Sequence, residues 1–205
     1  MSKPPSIDPT VGYYDQNASL FSSSTEGVDM TYLYAEFLPL IPKGGKILDA
    51  GCGSGRDALF FKRQGYSVVA FDASRELAAI ASQSLGESVR VLAFLDLNAV
   101  AEFDGIWACA SLLHVCSNEM NGVLHRLTHA LKPGAPMYVS FKLGTEEGQR
   151  SERFFNDYDE LKFHRLLRNH PDLAALKLWR TADRRPGRQH EIWLNAIVAK
   201  KGVKP

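Results

Sequence analysis

The sequence has few cysteines, no excess of either charge and no long hydrophobic run, and each absence excludes a class of protein. Its 205 residues include three cysteines, Cys52, Cys109 and Cys116. One of them stays unpaired in any connectivity, and no two have C-x-x-C spacing, so neither a disulfide framework nor a zinc or redox motif is indicated. We therefore expect reduced thiols, as in the cytosol, and no bound metal.

The charge is balanced, with 24 lysines and arginines against 23 aspartates and glutamates and a net charge of +1. This balance predicts neither a nucleic-acid partner nor an anionic membrane surface. No segment approaches the ~18 apolar residues of a spanning helix, and residues 1–6 lack the apolar stretch of a secretion signal. We expect a cytoplasmic protein with a small-molecule substrate; the sequence carries no signal for its oligomeric state.

The chain length and a hydrophobic content of 45% are sufficient for one sizeable core. Residues 1–10 hold three prolines and little to bury, so we expect residues 1–12 to be a loose tail and residues 13–205 a single domain, with order beginning at Tyr13. Apolar residues recur at helical spacing over residues 30–41, before a Pro-Lys-Gly-Gly stop.

Short apolar runs and helical patterns then alternate. Strands are predicted at 46–50, 66–71, 89–95, 105–110 and 137–141, and helices at 56–64, 74–85, 120–131 and 157–170. Serial βα units predict an α/β fold with a doubly wound parallel sheet. The last two predicted strands, 176–181 and 192–199, follow each other directly and indicate an antiparallel hairpin at one edge.

The first predicted strand ends in a loop with glycine at every second position, Gly51, Gly53 and Gly55. Glycine permits positive φ and close approach of a ligand to the backbone, and the helix that follows points free N–H groups into the same space. A dinucleotide fingerprint needs glycine at the sixth position of the loop, where this chain has Arg56. The second predicted strand leads directly to Asp72, where a carboxylate can accept both ribose hydroxyls.

The run Asp49-Ala50-Gly51-Cys52-Gly53-Ser54-Gly55 resembles motif I of the class I S-adenosylmethionine (SAM)-dependent methyltransferases. The resemblance spans about residues 30–200, and it implies a Rossmann-like, seven-stranded, mostly parallel sheet with a C-terminal antiparallel hairpin and SAM as the cofactor. Within the family, the chain is most similar to the small tRNA-wobble-methyltransferase-like and tellurite-resistance-like branches.

The resemblance also implies site residues. Asp49 would help to hold the amino-acid part of SAM, and Asp96 with Leu97 would lie beside the adenine. Tyr14 belongs to a Tyr-Tyr-Asp element that closes over the cofactor in many small methyltransferases. Each of these residues also has a purely structural alternative. Asp49 could bond only to loop amides, Asp96 could cap a turn, and Tyr14 could be a packing anchor. The further expected cofactor contacts are Cys52, Arg56, Ala73 and Ser111.

His114 follows the fourth predicted strand, and ligands bind at the carboxyl ends of strands in open α/β sheets. The resemblance places it near the transferring methyl group. Methyl transfer needs a base only when the acceptor must lose a proton, so a catalytic role for His114 is conditional. Its alternative is a packed histidine that bonds the backbone.

Four cations are candidates for contacts with the methyl acceptor. Lys142 and Arg150 flank a polar run at 144–153 that follows the fifth predicted strand, and Arg184 and Arg188 lie in the connection of the terminal hairpin. If their charged groups converge, these side chains would form a binding site for an anion. Residues 145–153 would then act as a mobile lid. A surface loop and a solvated turn are the alternatives.

These features favour a SAM-dependent methyltransferase that acts on a small polar or anionic acceptor. A tRNA wobble-uridine side-chain methyltransferase is the alternative, which the balanced charge disfavours unless a partner supplies a basic surface. A non-catalytic SAM-binding domain, and an NAD-linked oxidoreductase, are the alternatives from other classes.

Overall fold

A computed structural model describes residues 8–202 of the chain. Its helices are α1 (Pro9–Thr25), α2 (Thr31–Phe37), α3 (Arg56–Arg63), α4 (Arg75–Leu85), α5 (Ser117–Ala130) and α6 (Glu160–Arg168). Its strands are β1 (Lys46–Ala50), β2 (Ser67–Asp72), β3 (Arg90–Val91), β4 (Gly105–Ala108), β5 (Pro136–Lys142), β6 (Glu147–Arg150), β7 (Arg153–Asn156), β8 (Leu173–Ala182) and β9 (Ile192–Lys200).

Seven strands form one sheet in the order β3-β2-β1-β4-β5-β9-β8. The first five run parallel, and β9 pairs antiparallel with both β5 and β8. This confirms the predicted fold, a doubly wound and mostly parallel sheet that ends in an antiparallel hairpin. In such a sheet the carboxyl ends of the parallel strands share one edge, which is where the site forms.

Apolar side chains pack on both faces of the sheet. One face buries Leu48, Ile106 and Val139 against α5, and the other buries Trp107 and Tyr138 against α2. The rings of Trp107 and Tyr138 stack with centroids 4.0 Å apart across β4 and β5. These contacts fix the strands whose ends carry the site.

Helix ends follow local chemistry. Ser74 caps α4, since its hydroxyl accepts a hydrogen bond from the Leu77 amide at 3.1 Å, as predicted. Asp159 caps α6 by accepting from the Lys162 amide at 2.6 Å, so this helix begins later than the predicted 157–170. It also ends earlier, at Arg168.

Three expectations about local structure were wrong. Helix α1 begins at Pro9, with Asp8 capping it through the Thr10 amide, so residues 9–12 are not a loose tail; residues 1–7 lie outside the described residues. The third strand spans only Arg90–Val91, because the chain turns into a 3₁₀ turn at residues 94–96. The predicted 145–153 loop instead contains β6 and the start of β7, which pair as a hairpin.

None of the helices within residues 8–202 is both long and apolar enough to cross a lipid bilayer.

Candidate functional site

A cavity of about 490 Å³ opens at the carboxyl ends of the parallel strands. One side consists of the glycine loop, the end of β2 and the turn after β3. The other consists of the end of β5, the start of β9, the β6–β7 hairpin and the β8–β9 connection, and α1 closes the top. We call these the loop side and the hairpin side. The volume lies in the range of sites for drug-sized ligands.

The glycine loop leaves backbone exposed on the loop side. Gly51 and Gly53 line the cavity with φ of 75° and 57°, values that favour glycine. A Cβ on Gly51 would lie 2.5 Å from the Cβ of Ser111, so the close approach of these two segments requires glycine there. Ser111 also lines the cavity, and its hydroxyl donates to the Ala50 carbonyl at 2.7 Å.

The other loop residues support the cavity from outside. Gly55 has φ of 84°, and a Cβ there would lie 3.0 Å from that of Ala81 on α4, so it allows two helices to meet. Neither Gly55 nor Cys52 is part of the cavity lining, although both were predicted to bind the cofactor. Burial raises the pKa of the Cys52 thiol well above its usual value, which keeps it neutral.

Asp72 lies at the end of β2 and lines the cavity together with Ala73. One carboxylate oxygen accepts from the Gly53 amide at 2.8 Å and the other from the Ser74 amide at 2.9 Å. Burial raises the pKa of Asp72, and these two amides oppose that rise. Each oxygen accepts only one of these bonds and keeps capacity for another, so the carboxylate fits a ribose diol.

Asp49 lies beneath the loop rather than in the cavity lining, with 2% of its surface exposed. Its Oδ2 is buried without a hydrogen-bond partner among the described residues. Burial, and then repulsion by Asp57, raise the pKa of Asp49 well above its usual value. A buried carboxyl oxygen without a partner behind a glycine loop fits a hydrogen-bond donor of a ligand reached through the loop.

Arg56 lines the cavity and is held by its neighbour Asp57 through Nε at 2.5 Å and Nη2 at 3.0 Å. Asp57 also accepts from the Tyr34 hydroxyl at 2.6 Å and from Trp107 Nε1 at 2.7 Å. Burial works against ionisation of Asp57, but the Arg56 guanidinium outweighs it and lowers the pKa. This network fixes the start of α3 against the core.

The turn after β3 presents different residues from those predicted. Asp96 is exposed and Leu97 is buried in the core, and neither lines the cavity. Phe94 and Leu95 line it instead, and the Phe94 ring packs edge-on against Phe71 at 5.4 Å between centroids. The short β3 explains the difference, because the 3₁₀ turn changes which side chains reach the cleft.

Tyr14 and His114 meet across the cavity, with the Tyr14 hydroxyl 2.9 Å from His114 Nε2. The other ring nitrogen, Nδ1, lies 2.6 Å from the Phe154 carbonyl. A carbonyl only accepts, so Nδ1 carries the proton and Nε2 accepts from the tyrosine. Burial lowers the pKa of His114 to about 4, and burial also raises the pKa of Tyr14, so both side chains are neutral near pH 7.

The four predicted acceptor cations are already engaged by carboxylates. Lys142 and Arg188 both pair with Glu191, and Arg184 pairs with Asp29 at 3.6 Å. These three cations line the hairpin side. Arg150 makes two hydrogen bonds to Asp157 and does not line the cavity.

Three important lining residues were missed. Arg153 follows a turn whose geometry is invisible in the sequence, and Trp193 and Asn195 lie on β9, where alternation of buried and exposed positions is the available signal. The Trp193 indole donates to Asp183 at 3.1 Å, and Asn195 accepts from the Tyr138 hydroxyl at 2.7 Å.

Cys109 lines the cavity, but burial raises its pKa to about 12, so it is no nucleophile near pH 7. The part of the chain that the structure describes holds no group of three or more His, Cys, Asp or Glu side chains that could bind a metal ion.

Comparison with known proteins shows which proteins this chain resembles. Residues 47–134 match the family model described as a methyltransferase domain. The chain is similar to a ubiquinone biosynthesis O-methyltransferase of Xylella fastidiosa, with 34% identity over 104 residues that cover 47% of this chain and 42% of that protein. The chain thus matches less than half the length of this relative.

Solved structures agree along nearly the whole chain. One is the 1,6-didemethyltoxoflavin-N1-methyltransferase of Burkholderia thailandensis, with bound S-adenosylhomocysteine (SAH), at a TM-score of 0.68 and 23% identity over 98% of this chain and 93% of that one. Another is the [4+2]-cyclase SpnF, at a TM-score of 0.75 and 18% identity over 97% and 98%.

The glycine loop, the free hydrogen-bonding capacity of Asp72 and the unpartnered Asp49 oxygen all fit SAM as the cofactor. Residues 47–134 therefore resemble a methyltransferase domain, within a chain whose seven-stranded fold is shared with the solved methyltransferase structure described above.

Proposed function

We propose that the protein is a SAM-dependent methyltransferase that acts on a small polar or anionic acceptor. One observation carries the proposal: a single cavity joins the glycine loop and Asp72 to a second, aromatic and cationic side. The first side matches the needs of an adenosine and an amino acid. The second leaves room for a small acceptor next to Tyr14 and His114.

In this proposal SAM supplies an electrophilic methyl group, and the residues of the chain bind, orient and exclude water. Asp72 holds the ribose, Phe94 packs on the adenine, and Arg56 lies at the amino-acid end. Asp49 stands behind the loop at that end. Helix α1 covers the cavity through Thr10, Tyr14 and Phe21.

The neutral His114 limits how protons can move. Its Nε2 is occupied by the Tyr14 hydroxyl, so a proton leaving the acceptor would reach the imidazole through that hydroxyl. Because burial lowers the pKa of His114 to about 4, the imidazolium is disfavoured. An acceptor that arrives with a free lone pair, such as a thiolate or a carboxylate, needs only alignment by these two side chains.

Two alternatives remain as competing proposals. The first alternative is methylation of a tRNA wobble uridine, the reaction of the small tRNA-modifying branch. The sequence, with a net charge of +1, gives it no support in the form of a row of basic residues for binding tRNA. The second alternative is SAM binding without methyl transfer, since SpnF, a protein of the same fold, is named a cyclase and not a methyltransferase. A cytoplasmic location belongs to the methyltransferase proposal and stays a prediction.

The test is methyl transfer followed by mass spectrometry of SAH formed and of each acceptor. The acceptor set contains small carboxylic acids, thiols, chalcogen oxyanions and purified tRNA, each incubated with SAM at low enzyme concentration. Methylation of a small molecule supports the proposal. Methylation of tRNA alone supports the first alternative, and SAM binding without any product supports the second.

A further inference from the structure

The hairpin side of the cavity contains one arginine with no carboxylate partner. Arg153 lines the cavity and makes no ion pair with any carboxylate of residues 8–202. Its Nη1 donates only a long bond of 3.4 Å, to the Tyr14 hydroxyl. Its Nε is buried and has no hydrogen-bond partner among the described residues. Most of the donor capacity of this guanidinium is therefore unused.

The neighbouring cations differ in this respect. Glu191 holds Lys142 and Arg188, Asp183 holds Arg185, and Asp29 holds Arg184. A ligand anion would have to compete with these carboxylates. At Arg153 it would meet no such competitor, since Asp8, a carboxylate of the same lining, is occupied as the cap of α1.

Three aromatic rings surround this guanidinium. Its central carbon lies 4.6 Å from the Tyr13 ring centroid, 5.1 Å from that of Phe155 and 5.8 Å from that of Tyr14. Such cation–π contacts hold the guanidinium in place but supply no oxygen or nitrogen acceptor for its N–H groups. The side chain is thus preorganised, half-buried and charged, and it lacks only an in-plane acceptor.

We infer that Arg153 is the residue of the acceptor site that recognises an anion, and that the methyl acceptor carries a carboxylate. This inference rests on the proposed function. A carboxylate matches one guanidinium by two parallel N–H···O bonds. A phosphate dianion would call for further unpaired donors, and the surrounding cations are engaged. The aromatic lining from Tyr32, Tyr138, Phe155 and Trp193 favours a planar or apolar body on that carboxylate.

The test measures binding rather than turnover. Hydroxybenzoates, aminobenzoates and aliphatic hydroxy acids, each paired with its own carboxamide, are titrated by calorimetry into the protein at pH 7.5, with and without saturating SAH. We expect at least one carboxylate to bind about 10- to 100-fold more tightly than its amide, as for one charge-assisted pair. Arg153→Gln should abolish this preference and leave SAH affinity unchanged, and Arg153→Lys should restore part of it.

Arg150→Gln is the matched control, because Arg150 also stacks on Phe155, at 4.6 Å, but lies outside the lining and pairs with Asp157. It should keep the carboxylate preference. Thermal unfolding checks that each variant is folded. If no carboxylate binds better than its amide, or if Arg153→Gln keeps the preference, the inference is wrong. Failure of the wild type to bind SAH contradicts the proposed function instead, independently of the carboxylate result.

Discussion

Three aspartates at this site have different roles, because their surroundings differ. Asp72 is held by two amides at the cavity wall, Asp57 is neutralised by Arg56, and Asp49 is buried behind the loop with an orphan oxygen. These differences translate into different effects of substitution on ligand affinity and on stability.

Asp72→Ala should weaken SAH binding by about one to two decades, because it removes a charge-assisted contact to a diol worth about 1.5–3 kcal/mol. Calorimetry gives the affinity. Asp104→Ala is the control, since Asp104 also accepts a backbone amide, that of Lys46 at 2.8 Å, but lies at the opposite edge of the sheet. Equal affinity in Asp72→Ala and wild type would remove Asp72 from the cofactor site.

Asp49→Asn should stabilise the protein increasingly as the pH rises above the ordinary pKa of an aspartate, about 4. Since the folded pKa of Asp49 is raised, the unfolded chain loses this proton first, and wild-type stability falls with rising pH by up to about 1.4 kcal/mol per pH unit. Asn has no proton to lose, so this fall disappears. Urea unfolding at several pH values measures it.

Asp57→Asn should change the pH dependence of stability in the opposite direction. The pKa of Asp57 is lowered, so its stabilising contribution is present at pH 7 and is lost as pH falls below about 4. The variant should be less stable than wild type at neutral pH. A pH-independent effect at both positions would show that the two buried carboxyl groups do not titrate as described.

At the scale of elements, the cavity is closed by two pieces that meet each other, α1 and the β6–β7 hairpin. The Phe154 amide donates to Thr10 at 3.0 Å, and Ser74 donates to Asp15 at 2.6 Å. Helix α1 has non-helical angles at Asn17, where it bends over the cleft. Few apolar residues fix this cover, so we expect it to open when a ligand enters.

Hydrogen exchange tests this cover. Residues 9–25 and 145–156 should exchange more slowly when SAH is bound, because the ligand then bridges α1 to the loop and strand ends. Residues 124–130 of helix α5 serve as an internal control, since they pack in the core, whereas Ser117 at the start of that helix contacts Glu147 of the hairpin. Identical exchange of both segments with and without SAH would mean that they do not form a lid.

The turn of the hairpin carries local strain that can be relieved. Ser151 and Glu152 have φ of 48° and 64°, the conformation that favours Asn-Gly in a two-residue hairpin turn. Changing Ser151→Asn and Glu152→Gly together should raise the free energy of unfolding by about 1 kcal/mol. Urea denaturation measures it, with Glu146→Gly as the control, which should lower stability.

Features that depend on neighbouring residues in the sequence can be predicted, whereas features that depend on contacts between distant segments cannot. Strand and helix alternation is local, so the parallel sheet and terminal hairpin follow from it. Arg150 and Arg153 show the limit: they face each other across the hairpin turn, and only the docking of that hairpin brings Arg153 rather than Arg150 to the cavity. Likewise, a 3₁₀ turn replaces Asp96 by Phe94 at the lining.

For the whole molecule, the central claim is that one cavity holds SAM on the loop side and an acceptor on the hairpin side. A crystal structure of the SAH complex tests it most directly. We predict the ribose diol on Asp72, the adenine against Phe94 and the amino-acid end near Arg56, with space remaining beside Arg153. SAH bound elsewhere, or filling the hairpin side and leaving Asp72 without a ligand contact, would contradict the account.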